Sequence, residues 1–167
     1  AEDYGVAATV WSVTSFTELR RDALDVEHAN RQEPDGQQRT PYVTSLLADE
    51  DAKTPVVAAT DSMKVVADQV ARWIPLPFTA LGTDGFGRSD TRENLRRFFE
   101  NDAEHVVYTT LVELARQDLM PLEVALKARE RFEIRPGRPN PARVDQVLAE
   151  DEEASRPAAN GAARKKK

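Results

Sequence analysis

A chain of 167 residues, with 23 Lys plus Arg against 29 Asp plus Glu and a net charge of −6, is sized for one domain and a tail. Its acidic balance argues against non-specific nucleic-acid binding, which works by neutralising phosphates with Lys and Arg. The absence of cysteine excludes disulfides, zinc thiolates and iron–sulfur clusters, and no apolar run approaches the ~20 residues that span a bilayer, so neither a nucleic acid nor a membrane is expected as a partner.

The N-terminus, Ala1 to Gly5, carries no initiator Met, basic region or apolar stretch. It reads as a processed chain or a fragment, with the cytoplasm as the default compartment. Val6 to Val13 is rich in β-branched and aromatic residues and predicts a strand. Ser15 and Glu18 have capping-box spacing and start a helix through about Asn30, with Leu19, Ala23, Val26 and Ala29 on its apolar side. Arg31 to Pro41 is a loop, and Tyr42 to Ala48 a short helical turn.

The continuous apolar run Val56 to Thr60 suits a strand buried on both faces. Asp61 and Ser62 are placed to cap the next helix, where Val65, Val66, Gln69, Val70 and Trp73 recur at helical spacing until Pro75 and Pro77. Phe78 to Leu81 is a third strand. After a glycine-rich segment, Asp90 opens a helix with Leu95, Phe98 and Phe99 inward and Glu93 at the capping-box position. Glu104 to Arg116 and Leu122 to Phe132 are further amphipathic helices, and Arg135 to Pro141 is extended. This alternation predicts an α/β domain with a mainly parallel sheet, a three-layer α/β/α arrangement over residues 1–143. Residues 144–167 form a tail, with an acidic block, small residues and a basic Arg164–Lys167 end; it lacks the apolar area to offset chain entropy and is expected to be disordered.

The richest segment for chemistry is Gly82, Thr83, Asp84, Gly85, Phe86, Gly87, Arg88, Ser89 and Asp90. It lies between a strand and a helix start, where α/β folds place ligands. Its glycines permit positive φ or close backbone approach, so Gly85 and Gly87 are expected to resist replacement. Arg88 and Arg92 flank the helix start and could contact an anion; a tight packed turn is the competing reading. The order G-x-x-G-x-G is neither the dinucleotide fingerprint nor a P-loop. Asp61 and Asp84 sit at strand ends, where capping and turn formation outweigh a catalytic pair. His28 and His105 read as surface or partly buried polar groups, Ser15 and Ser89 lack a nucleophile-elbow context, and Trp11 and Trp73 read as core.

Read together, three stretches go further. Val13-Thr14-Ser15-Phe16-Thr17-Glu18-Leu19, then Thr60-Asp61-Ser62-Met63-Lys64, then Leu81 to Arg92 with Leu95-Arg96 resemble, in order and spacing, the C-terminal domain of the homodimeric pyruvate dehydrogenase E1 family. Val66 to Val70 and Phe99 to Ala103 also fit. The resemblance covers roughly residues 1–143, and L-G-T-D-G-F-G-R-S-D is its most specific run. Two positions depart: Ser62 stands where an aromatic residue is usual, and Asn101 where a hydrophobic one is expected.

The resemblance implies the third, transketolase-like domain of an enzyme that uses thiamine diphosphate and Mg²⁺. Such an enzyme decarboxylates pyruvate and reductively acetylates the lipoyl group of its E2 acyltransferase partner. It implies a homodimer, with cofactor and metal held by other domains, because the diphosphate motif is absent from this sequence. The domain is then expected to carry no catalytic or metal-binding residue of its own, to support the dimer, and to lack its first βα unit here. The rival reading is a free-standing interaction or anion-binding module derived from that domain.

Overall fold

The computed structural model describes residues 2–48 and 50–143; the expected tail, 144–167, lies outside them. Helix α1 runs Phe16–Gln32 and α2 Tyr42–Leu46. Strand β1, Val56–Ala59, leads through α3, Val65–Asp68, and a 3-10 turn, Ala71–Trp73, to strand β2, Phe78–Leu81. Helices α4, Arg92–Phe98, α5, Ala103–Arg116, and α6, Leu122–Arg131, complete the order. The two strands pair in parallel, Val56 opposite Phe78 and Ala59 opposite Leu81. The fold is α/β, with a small parallel sheet and its connecting helices.

Residues 6–13 depart from the expectation. They are irregular and pair with no described strand. A strand is held by its neighbour's hydrogen bonds, and composition cannot replace the neighbour. Val10 is 92% exposed and Trp11 54% exposed, so Trp11 is not core.

Two apolar clusters anchor the helices. Ala23, Val43, Val70 and Trp73 form one, with Phe16, Leu19, Leu24 and Ile74 against it. Leu111, Ala125 and Ala128 form the other, joining α5 to α6 with Tyr4, Val6 and Phe132 packed on them. Polar pairs tie the helices to what they cover. The Trp73 indole N–H donates to Glu27 of α1 at 2.8 Å. That bond, with Arg72 beside it, holds the Glu27 carboxyl below the usual range. Thr79 of β2 donates to the buried Glu113 of α5 at 3.1 Å, and Arg116 pairs with the same carboxylate at 2.7 Å. A buried carboxylate without such partners would be costly.

The helix expected over Val65 to Trp73 breaks in two. Its predicted caps, Asp61 and Ser62, lie outside it; Lys64 occupies the N-cap and makes no side-chain cap. The helix after the glycine-rich loop starts one step later than expected. Thr91 is its N-cap and accepts from the Asn94 N–H at 3.2 Å. Asp90 accepts from the Thr91 N–H at 2.7 Å and the Asn94 amide at 2.8 Å. The Asn94 amide and then that backbone bond keep its carboxyl low.

Three consecutive helices end alike. Glu100, Asp118 and Glu133 follow α4, α5 and α6 with φ of 56°, 58° and 53°. The next residue's N–H reaches back to a carbonyl in the last turn: Asn101 to Arg96 at 2.8 Å, Leu119 to Leu114 at 3.0 Å, Ile134 to Arg129 at 3.0 Å. These are Schellman closures that place non-glycine residues where glycine is usual. The left-handed conformation costs such a residue roughly 1 kcal/mol or more. Glu133 is exposed, so Glu133→Gly is expected to stabilise the chain by about 0.5–1 kcal/mol, unlike glycine placed elsewhere in a helix. Urea unfolding of the variant beside the wild type checks it; a loss of stability would contradict the closure.

Candidate functional site

The carboxyl ends of β1 and β2 bring the second motif and the glycine-rich loop together. Thr60 donates its N–H to the Leu81 carbonyl at 3.0 Å, and Thr83 donates to the Ser62 carbonyl at 2.9 Å. The Thr83 hydroxyl donates to the Asp61 carbonyl at 2.9 Å. Asp84 accepts the Lys64 N–H at 2.9 Å. The cap expected from Asp61 or Ser62 is thus supplied by a residue twenty positions away. Asp61 instead pairs with Arg96 of α4 at 3.1 Å. The two aspartates turn and cap the chain, and they do not form a pair.

This lacing depends on glycine at position 82. A Cβ there would lie 2.6 Å from the Ser62 carbonyl oxygen and 2.9 Å from the Lys64 nitrogen, both backbone atoms. Gly85 has φ +120°, and a Cβ would lie 2.4 Å from the Pro141 carbonyl oxygen, so it meets the expectation of a restricted site. Gly87 does not: a Cβ there has nothing within 4 Å and its φ is not positive. Its neighbours in sequence are exposed, Phe86 at 74%.

The two arginines proposed for an anion lie apart in role. Arg88 stacks over the Phe98 ring, 4.3 Å from its centroid, with Arg138 also against that ring at 5.1 Å. Arg92 sits in the first turn of α4, exposed. Met63 and Ser89 are also exposed, and Lys64 is half-buried. The first motif stands at the head of α1. Ser15 accepts the Glu18 N–H at 3.2 Å as the N-cap, Phe16 packs on the first cluster, and Thr14 and Thr17 face outward. That motif organises a helix start, while the other two build one knot.

The departures from the family pattern find separate accounts. Ser62 takes part through its backbone carbonyl, so the size of its side chain leaves the knot intact. Asn101 is buried, and its amide donates to the Thr60 carbonyl at 2.7 Å, closing the end of β1. A hydrophobic residue could not make that bond. Its own Oδ1 has no partner among the described residues.

The sequence reading missed a polar assembly beside this knot. His105, expected as a surface or partly buried polar group, is 6% exposed. Asp102 caps α5 through the His105 N–H at 2.8 Å and holds His105 Nδ1 at 2.7 Å. Arg97 meets Asp102 at 3.3 Å and Glu104 at 2.5 Å, and donates to the Phe132 carbonyl. Burial alone would raise the Asp102 carboxyl, but the His105 backbone N–H, its ring and Arg97 outweigh it and hold the group below its ordinary 3.8. Burial lowers Arg138, and Arg135, Arg97 and Arg88 nearby add to this. The Asp102-to-His105 spacing, a cap three residues ahead of a histidine, was the available signal. Among the described residues no three His, Asp or Glu side chains converge as metal ligands, and no helix is long and apolar enough to cross a membrane.

A parallel strand–helix–strand unit with this interlocked end defines the class. The transketolase-like TK C-terminal domain family matches residues 1–102, and the chain belongs to that family. Among individual proteins it is similar to the pyruvate dehydrogenase E1 component of Mycolicibacterium smegmatis, 47% identical over 134 residues, which is 80% of this chain and 14% of that protein. The Escherichia coli K12 component is 46% identical over 142 residues, 84% of this chain and 16% of that protein. The Mycobacterium tuberculosis component is 40% identical over 157 residues, 94% of this chain and 16% of that protein. The similarity falls in the C-terminal part of the E1 component, so the chain spans about one-sixth of the length of these relatives.

Two outcomes test this geometry. Gly82→Ala is expected to cost about 1–3 kcal/mol, because the added methyl meets backbone that cannot rotate away, while Gly87→Ala stays within about 0.5 kcal/mol; paired denaturant curves check the contrast. Asp102→Asn keeps a competent helix cap and removes the charge. Since the folded value of Asp102 is depressed, its contribution is full above the ordinary 3.8 and is lost as pH falls through the folded value. The variant is therefore expected to be about 1–2 kcal/mol less stable at neutral pH, with the difference vanishing in acid. Unfolding measured from pH 7 down through the depressed folded value, well below 3.8, checks it.

Proposed function

We propose that this chain works as the C-terminal domain of a thiamine-diphosphate-dependent pyruvate dehydrogenase E1, in a homodimer that serves an E2 acyltransferase in the cytoplasm. What supports the reading is similarity to E1 components over most of the chain, together with the mutual bonding of the two motifs that carry it. The domain's part is structural. When bound by the whole enzyme, thiamine diphosphate supplies the carbanion chemistry. The residues at the ends of β1 and β2 hold a rigid surface on which the catalytic domains and the second subunit rest.

In that role the glycine-rich loop, Gly82 to Asp90, and the Thr60–Lys64 segment act through shape. Asp84 is the element that joins them, since its carboxylate caps Lys64 across the knot. Loosening it should weaken assembly first and turnover as a consequence. In the full-length enzyme, Asp84→Ala is expected to raise the dimer dissociation constant about tenfold or more, the equivalent of about 1.4 kcal/mol, with pyruvate turnover falling in proportion to the dimer lost. Sedimentation equilibrium and turnover on the same samples check it. An intact dimer with abolished turnover would place the loop in the chemistry and overturn the structural role.

A further inference from the structure

A cavity of about 370 Å³ opens between α5, α6 and the segment after α6, with Glu100, His105, Tyr108, Arg129 and Arg135 in its lining. Neither the interlocked strand ends nor the E1 reading makes use of it. We propose that this cavity binds a phosphoryl group, carried by a small metabolite, through Arg129 and His105.

The chemistry follows from which groups are already engaged. The ionised Asp102 has no hydrogen to give, so the His105 Nδ1 at 2.7 Å from it is the donor. With Nδ1 turned to Asp102, it is Nε2 that carries the lone pair whenever the ring is neutral. His105 lines the cavity, and its Nε2 meets no described partner, nor is it sealed from solvent. Arg97 and the His105 backbone N–H fix Asp102 in turn, so the imidazole orientation is preset. Arg129, on the last turns of α6, is half-buried on the wall, and its guanidinium makes no hydrogen bond or ion pair with another described residue. Arg135 has a partner of its own and adds positive potential. Tyr108 and Thr109 of α5 also line the cavity and bring hydroxyl-bearing side chains to it.

The charged residues in the lining are Glu100, Arg129 and Arg135, and His105 lines it with them. One carboxylate against two guanidiniums favours an anion. The arginine fork suits phosphate or carboxylate oxygens. Nε2 separates the two: where it serves as an acceptor it needs a ligand O–H. A hydrogen-phosphate group brings that O–H together with acceptor oxygens for Arg129 and the hydroxyls. A carboxylate or sulfate at neutral pH brings acceptors alone. Leu81, Ile134 and Pro136 leave an apolar side for the rest of a small ligand, and the volume is in the range of small-molecule sites, about 300–1,000 Å³.

The test uses the full-length enzyme saturated with thiamine diphosphate and Mg²⁺, titrated calorimetrically with inorganic phosphate, sulfate or acetate at constant ionic strength and neutral pH. Phosphate is expected to bind saturably, with sulfate and acetate about tenfold weaker or undetected. Arg129→Gln, with an unchanged melting temperature, is expected to lower phosphate affinity about tenfold or more, as loss of a charge-assisted pair does. Tyr108→Phe, which removes one hydroxyl, decides the matter if Arg129→Gln fails to fold, and a severalfold weakening is expected. Absence of saturable phosphate binding, equal affinity for sulfate, or binding indifferent to the folded variants overturns the proposal. These readouts involve no pyruvate turnover, so they stand or fall apart from the E1 reading.

Discussion

The approach of Gly82 to the Ser62–Lys64 backbone is the constraint on which the rest of the domain depends. No side chain larger than hydrogen fits between β2 and the chain leaving β1 at that point. Because the two backbones come this close, Thr83 can reach the Ser62 carbonyl and Asp84 can cap Lys64. Parallel strands have no hairpin to lock their register, so it must be set elsewhere. Here the loops beyond the strand ends set it, and α3 and α4 inherit their directions from the same knot.

From the knot, order passes outward through polar links. Asp61 draws in Arg96 of α4, and Asn101 closes the Thr60 carbonyl from the start of the next turn. Arg97, one residue along from Arg96, faces the other way and gathers Asp102, Glu104 and the Phe132 carbonyl. Two adjacent arginines thus join the strand ends to α5 and to the end of α6. The unpartnered Oδ1 of Asn101 runs against this satisfaction, since a buried acceptor left empty costs roughly 1–3 kcal/mol. The bond its amide makes to Thr60 is what the position obtains in exchange.

Helix endings show the same economy of means. Glu100, Asp118 and Glu133 adopt the left-handed turn that glycine adopts without penalty. Where Glu100 does so, it also lines the cavity beside His105. A glycine there would relax the backbone and remove the one carboxylate that tempers the arginines on that wall.

Much of the architecture was legible in the sequence. Capping residues at Ser15, apolar periodicity in α1, α5 and α6, and short apolar runs for β1 and β2 are local signals, and local physics sufficed to place them. The motifs around Thr60–Lys64 and Gly82–Asp90 were also legible as a family pattern, and the Gly85 restriction as a steric one. What failed, or stayed hidden, required knowing which distant groups meet. Val6 to Val13 has strand composition but finds no described ladder partner, and pairing is a property of two segments. Asp61 and Ser62 looked like caps because they precede a helix, yet Asp84 took that role once the strands were in register. Arg88 lies over the Phe98 ring, a contact between residues ten apart that the chain order does not announce. His105 looked peripheral until Asp102, Arg97 and the wall of α6 closed around it. The sequence by itself determined the segments, their order and their kinship. Tertiary structure alone decided the partners, because burial and hydrogen-bond satisfaction are set by the approach of residues far apart along the chain.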